Sequence, residues 1–162
     1  MISKTMVQAV NGQINAELYS SYLYLSMAAW FETQNLRGFA KWMRVQAKEE
    51  HAHAMKFFEY VVERGGTVAL EAIEAPPAKW TSPLAAFEAT LKHEQKVTAL
   101  IDALAGVAEK EKDRASTIFL QWFISEQVEE EANATQIVET LKMIKESVGG
   151  LFQLDHHLGK RE

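Results

Sequence analysis

Ala47-Lys48-Glu49-Glu50-His51-Ala52-His53-Ala54-Met55 sets a carboxylate and an imidazole three residues apart in a stretch that otherwise has the spacing of a buried helical face. On an α-helix, positions i and i+3 share a face. Stepping by three and four from Glu50 meets Met43, Gln46 and Ala47 in one direction and Ala54, Phe57 and Val61 in the other, so Glu50 and His53 interrupt an apolar stripe. No Lys or Arg lies beside Glu50 on that face. A buried carboxylate without a partner is penalised by several kcal/mol; it protonates, pairs with a cation or binds a metal. His51 and His53 do not chelate one ion together, because two steps along a helix turn the side chain by about 200°. His51 and His93 are expected to face solvent.

Working outward, this stretch is the middle of a helix running to about Arg64, where Gly65-Gly66 stops it. Before it, Val10, Ile14, Leu18, Leu25, Ala28 and Trp30 recur at helical spacing behind Ser3 as N-cap, and Gln34 to Gly38 forms a short break. Such a short link makes the two helices antiparallel neighbours. Gly66 to Ser82 shows no helical period and is followed by Pro83. Extended at ~3.3 Å per residue it reaches on the order of 50 Å, longer than the roughly 40 Å of the preceding helix, so it can cross a whole bundle. Ser82-Pro83 opens a third helix with the stripe Phe87, Leu91, Val97, Ile101 and Leu104, and Asp113 caps a fourth with Phe119, Phe123, Ala134, Ile137, Leu141 and Ile144. The expectation is a single all-α domain over residues 1–162: a four-helix bundle with one long crossover loop, helices at about 4–33, 38–64, 83–110 and 114–147, and a short C-terminal helix at about 150–158.

Each long helix carries a carboxylate where its stripe should be apolar: Glu17 beside Gln13, Glu50, Glu94 between Leu91 and Val97, and Glu130 with Gln127 between Phe123 and Ala134. All four stand near the middle of their helices, so they meet at one level whichever way each helix runs. Four negative charges at one buried level repel by several kcal/mol, and two divalent cations neutralise them. Carboxylate oxygens with a single imidazole are hard ligands that suit iron or manganese better than copper or structural zinc.

One Glu from each of two helices plus Glu-x-x-His from each of the other two is the pattern of ferritin-like di-metal bundles. This chain has three of those parts, as Glu17, Glu50-x-x-His53 and Glu94, but its fourth helix offers Gln127-x-x-Glu130. With that departure it resembles bacterial non-haem ferritin over nearly its whole length. The resemblance implies a ferritin-like fold and a ferroxidase, in which ferrous iron is oxidised by dioxygen at a di-iron centre. One iron would be held by Glu17, Glu50 and His53, and the other by Glu50, Glu94 and Glu130, with Glu50 bridging and Gln127 nearby. Tyr24 matches a tyrosine beside the centre, expected to donate a hydrogen bond or an electron. Glu49, Glu126 and Glu129 match a third iron site. The resemblance further implies storage of ferric mineral in a hollow shell of 24 copies, with Gly149-Gly150 and Leu151, Leu154 and Leu158 forming the short last helix that lines a fourfold channel. Bacterioferritin would carry Met directly after the first motif Glu, where this chain has His51; no haem is expected.

Composition narrows the alternatives. Lys+Arg 17 against Asp+Glu 22 gives a formal charge of -5, with no general attraction to nucleic acid or anionic membranes. Cys is absent, which excludes disulfides, iron–sulfur clusters and thiolate zinc sites. The competing reading, a non-storage di-metal oxidase or peroxidase of rubrerythrin-like type, loses the Cys-bound electron donor such proteins carry. No stretch has signal-peptide or membrane-spanning character, and a cytoplasmic location is expected by default. Tyr19, Tyr22, Trp30, Trp42, Trp80 and Trp122 are read as packing or subunit-contact residues.

Overall fold

The computed structural model describes residues 1–162 and contains five helices: α1 (Lys4–Thr33), α2 (Arg37–Glu63), α3 (Pro83–Lys110), α4 (Arg114–Ile144) and α5 (Val148–Leu158). Their starts follow from capping. The side chains of Ser3, Ser82, Asp113 and Ser147 accept from the backbone N–H of Met6, Ala85, Ser116 and Gly150, and Pro83 sits at the first position of α3. α1 and α2 are joined by a turn with Asn35 at φ 59°, and α3 and α4 by one with Lys112 at φ 54°. No helix is long and apolar enough to cross a membrane.

The long connection from α2 to α3 is pinned to α1 in chain order. Asn11 brackets it, donating to the Thr67 carbonyl (3.1 Å) and accepting from the Ala69 N–H (3.2 Å); Asn15 donates to the Ala72 carbonyl (3.1 Å) and Ser26 to that of Pro77 (2.6 Å). These anchors advance along α1 by about 22 Å at 1.5 Å per residue. The segment therefore runs along the bundle and places α3 and α4 as a second antiparallel pair. Arg64 ties the bundle's end, pairing with Asp113 (3.1 Å) while donating to Tyr60. Burial alone would raise the Asp113 carboxyl, but hydrogen bonds from Arg64 and Ser116 bring it below its ordinary value.

Two apolar clusters fill the interior. One is built on Met27, Phe31, Phe39, Met43, Phe87 and Leu141, the other on Val10, Ile14, Phe57, Val61, Ile101 and Phe123. The break between them falls on every helix at the same depth: after Ile14 on α1, after Ala47 on α2, after Phe87 on α3 and after Phe123 on α4. That band holds Glu17, Glu50, His53, Glu94, Gln127 and Glu130.

Three expectations are corrected. Leu25 is half-exposed and lies on an outer apolar ridge of α1 with Tyr22 and Ile73 rather than in the core, whereas Leu18 is partly buried against the second apolar cluster. α1 is apolar on more than one face, which blurs its stripe. α4 ends at Ile144 instead of near 147, because Lys145 turns to φ 53°. α5 accordingly starts at Val148, ahead of the expected 150, with Gly149 and Gly150 in its first turn.

α5 crosses the start of α2 and supplies its missing cap. Leu36, the N-cap of α2, makes no side-chain bond to the helix, and Asp155 Oδ1 instead accepts from the Phe39 N–H at 3.0 Å. The approach depends on Gly38, where a Cβ would stand 1.7 Å from the Asp155 carbonyl oxygen. Gly38→Ala is expected to cost about 1–3 kcal/mol through overpacking and to loosen α5. Faster tryptic cleavage after Lys145, with a lower melting temperature, is the readout; unchanged cleavage refutes it.

Candidate metal centre

Helical spacing puts one carboxylate from each long helix into the band between the apolar clusters. Glu17 is 2% exposed, Glu50 and Glu94 1%, and Glu130 and His53 5%. Ligand atoms converge within 4.8 Å in three groups: Glu17, Glu50 and His53; Glu50, Glu94 and Glu130; and His53, Glu126 and Glu130. Glu50 belongs to both of the first two. His53 turns Nδ1 toward Glu50 Oε2 (3.3 Å) and Nε2 toward Glu126 Oε1 (3.9 Å).

Hydrogen bonds hold these acids from behind. Gln13 donates to Glu17 (2.8 Å), and the Gln46 amide donates to both Glu50 (3.0 Å) and Glu130 (2.7 Å). Gln127 donates to the Glu94 carboxylate (3.1 Å), so its amide nitrogen faces that acid. The Tyr24 hydroxyl donates to Glu94 Oε1. Tyr24 is fully buried, and burial together with the charges of Glu94 and Glu50 raises its pKa well above the ordinary value, so it remains a donor.

These bonds do not satisfy the cluster. Burial, then the charge of Glu50, pushes Glu17 well above the usual carboxylate range; burial, then Glu94 and Glu130, does the same to Glu50. Glu94 is raised by burial against the opposing hydrogen bonds of Tyr24 and Gln127, and Glu130 is pushed up to about 7 by burial and by Glu94. Glu17 Oε2 is buried with no hydrogen-bond partner at all. Acids that hold protons this tightly, with an orphaned oxygen among them, fit a cation: four carboxylates and one imidazole match two hard divalent ions in charge and ligand type.

The three acids assigned by resemblance to a third iron are not gathered in one place. Glu126 joins His53 and Glu130, whereas Glu49 and Glu129 join none of the groups, and Glu49 is paired with Arg161 at 2.6 Å. His93, expected at the surface, lies largely buried between helices. Ser20 Oγ stands 2.8 Å from its Nε2, its ring meets Tyr24 edge-on at 5.9 Å, and burial with the nearby Lys96 lowers its pKa to about 4. The sequence did hold a signal for the supporting amides: Gln13 and Gln46 each precede a site Glu by four positions, one helical turn. Trp122 packs edge-on against His53 at 5.4 Å and carries the Lys56 ammonium 3.1 Å from its ring centre.

Comparison with known proteins identifies the family and the fold. The Ferritin family profile, a ferritin-like domain, matches residues 7–144. A bacterial non-heme ferritin of Bacteroides fragilis (strain 638R) is 44% identical over 161 residues, covering 99% of this chain and 100% of that protein. A probable bacterial non-heme ferritin-like protein of Haemophilus influenzae is 41% identical, covering 98% of this chain and 96% of the other. Among solved structures, an open pore ferritin from the archaeon Archaeoglobus fulgidus superposes with TM-score 0.99 at 55% identity, each chain covered 100%. Matched by the profile over most of its length and by curated relatives nearly end to end, the chain belongs to the ferritin family.

Proposed function

We propose that this protein stores iron: it oxidises ferrous iron with dioxygen at the buried carboxylate centre and deposits the ferric product as mineral inside a hollow shell of 24 copies, in the cytoplasm. The observation that carries the reading is the pair of three-residue groups sharing Glu50, a geometry that offers two adjacent cation positions within the bundle.

Ferrous iron is the substrate. Glu17, Glu50 and His53 would hold one ion, and Glu50, Glu94 and Glu130 the other. Each ion gives one electron to dioxygen, which with two protons becomes hydrogen peroxide. Four carboxylates balance two divalent cations, but two trivalent ones leave a charge of +2 uncompensated in a dry site. That excess favours hydrolysis and departure of the ferric product, so the same ligand set that draws in Fe(II) also turns it over. The surrounding residues do the rest: Gln13 and Gln46 orient the acids, Tyr24 holds Glu94, and the apolar clusters on both sides exclude water.

Adding Fe(II) in air to the metal-free assembled protein should give a rapid phase that saturates at two iron atoms per chain, followed by slower mineral growth in particles of shell size. A monomeric or dimeric species with the same rapid phase would instead support the non-storage oxidase. Absence of any rapid phase would reject the centre. Tyr24→Phe leaves the fold intact but removes the donor to Glu94, and loss of such an orienting bond typically costs about 10–100-fold. The rapid phase should slow by about 10-fold; unchanged kinetics would remove Tyr24 from the mechanism.

A further inference from the structure

His93 lies beside the centre but belongs to none of the converging ligand groups. Its position is nevertheless tightly specified. Two side-chain hydrogen bonds between nitrogen or oxygen atoms cross from α1 to α3, and they are neighbours: Tyr24 donates to Glu94, and Ser20 Oγ meets His93 Nε2 at 2.8 Å. On α1, Ser20 stands three residues after Glu17 and four before Tyr24, on the face that carries both. On α3, His93 directly precedes Glu94.

The direction of the Ser20–His93 bond follows from a third group. Ser20 is fully buried, and its single hydroxyl proton goes to the Ala16 carbonyl at 3.0 Å. The Ser20 oxygen is left to accept, so His93 Nε2 carries a hydrogen and donates it. The rings of Tyr19 (5.8 Å, tilted) and Tyr24 (5.9 Å, edge-on) pack against the imidazole and keep it in that position. The bond therefore ties α1 to α3 at the depth of the centre. Tyr24 and Glu94 sit on those same two helices, and the Tyr24 hydroxyl reaches Glu94 only while their spacing and register are kept.

We propose that His93, anchored on Ser20, is a positioning residue that keeps the Tyr24 hydroxyl aimed at Glu94 and thereby sustains the rate of ferrous oxidation. The effect on rate rests on the reading of the buried centre as a ferroxidase; the aim of Tyr24 does not.

The test reads Tyr24 directly, by ultraviolet resonance Raman spectroscopy of the metal-free assembled protein. The difference between each protein and the same protein carrying Tyr24→Phe isolates the ring modes of Tyr24, which report whether its hydroxyl donates. Wild type should show a donating phenol. His93→Phe keeps a ring in place but cannot donate to Ser20; it should weaken that signature and slow the rapid phase by up to about 10-fold, the effect of losing Tyr24 as an orienting partner. Ser20→Ala, which removes the acceptor from the other helix, should do the same. His93→Gln, whose amide N–H can reach Ser20, should restore the signature and most of the rate. In a Tyr24→Phe background, His93→Phe should cause no further slowing. An unchanged Tyr24 signature in His93→Phe and Ser20→Ala would overturn the proposal, as would further slowing in the Tyr24→Phe background, or His93→Gln as slow as His93→Phe. A wild type without any rapid phase would remove the ferroxidase reading and the effect on rate with it, while the Tyr24 signature would still decide whether His93 aims Tyr24.

Discussion

Glu50→Gln is expected to slow ferrous oxidation by at least on the order of 100-fold while making the metal-free protein more stable at pH 8. The two effects share one cause. Glu50 is the carboxylate common to both cation positions, and its loss removes a charged ligand from each, a larger change than the 10–100-fold typical of removing a mere orienting group. In the absence of metal, however, that same charge is a burden: Glu50 raises Glu17, and Glu94 and Glu130 raise Glu50. Glutamine keeps the volume, can still accept from the Gln46 amide that now donates to Glu50 Oε1, and brings an amide N–H toward Glu17, whose Oε2 has no partner. Relief of roughly 1–3 kcal/mol, the scale of one unsatisfied buried polar group, corresponds to a melting temperature higher by about 2–10 °C in a chain of this length. Stopped-flow oxidation and calorimetry of the chelator-treated protein measure the pair. Rapid oxidation by the variant, or a lower melting temperature at pH 8, would contradict the account of the site as an over-charged ligand set.

What the sequence made legible and what it concealed divide along the range of the interactions involved. Glu17, Glu50, Glu94 and Glu130 stand out because each breaks an apolar stripe at mid-helix, and helical geometry alone then brings them to one depth; the structure places that depth in the gap between the two apolar clusters. The four long helices were legible for the same local reason, since caps and periodicity lie within a few residues of what they specify. The hidden features join residues far apart in the chain. Asp155 capping α2 spans 116 positions, and Arg161 holding Glu49 spans 112. No periodicity in α2 announces either, because both depend on the path the chain takes after α5. His93 was misplaced because its exposure is decided by Ser20 and Tyr19 on a helix remote in sequence. Leu25 misled in the opposite direction: it has the spacing of core, yet the bundle turns that face of α1 outward.

The stability of the metal-free protein should fall as pH rises from about 5 to above 7, and divalent metal should abolish that fall. Glu17, Glu50, Glu94 and Glu130 all bind their protons more tightly folded than unfolded, chiefly through burial. A group of this kind contributes stability that is complete below its unfolded value and is lost as pH climbs through its folded value. For Glu130 the change from 4.5 to about 7 corresponds, at 1.36 kcal/mol per unit, to about 3 kcal/mol. Glu17, Glu50 and Glu94 shift in the same direction, so a decline in melting temperature of roughly 5–10 °C between pH 5.5 and 8.5 is expected from the cluster. Zn(II) competes with those protons for the same oxygens: its binding should tighten over the same window and release protons that calorimetry in buffers of different ionisation heat can count. The loaded protein should then melt nearly independently of pH over that range. A flat profile for the metal-free protein would mean that water or conformational opening already solvates these acids, and the charge balance that makes two cations the natural occupants of the bundle would lose its basis.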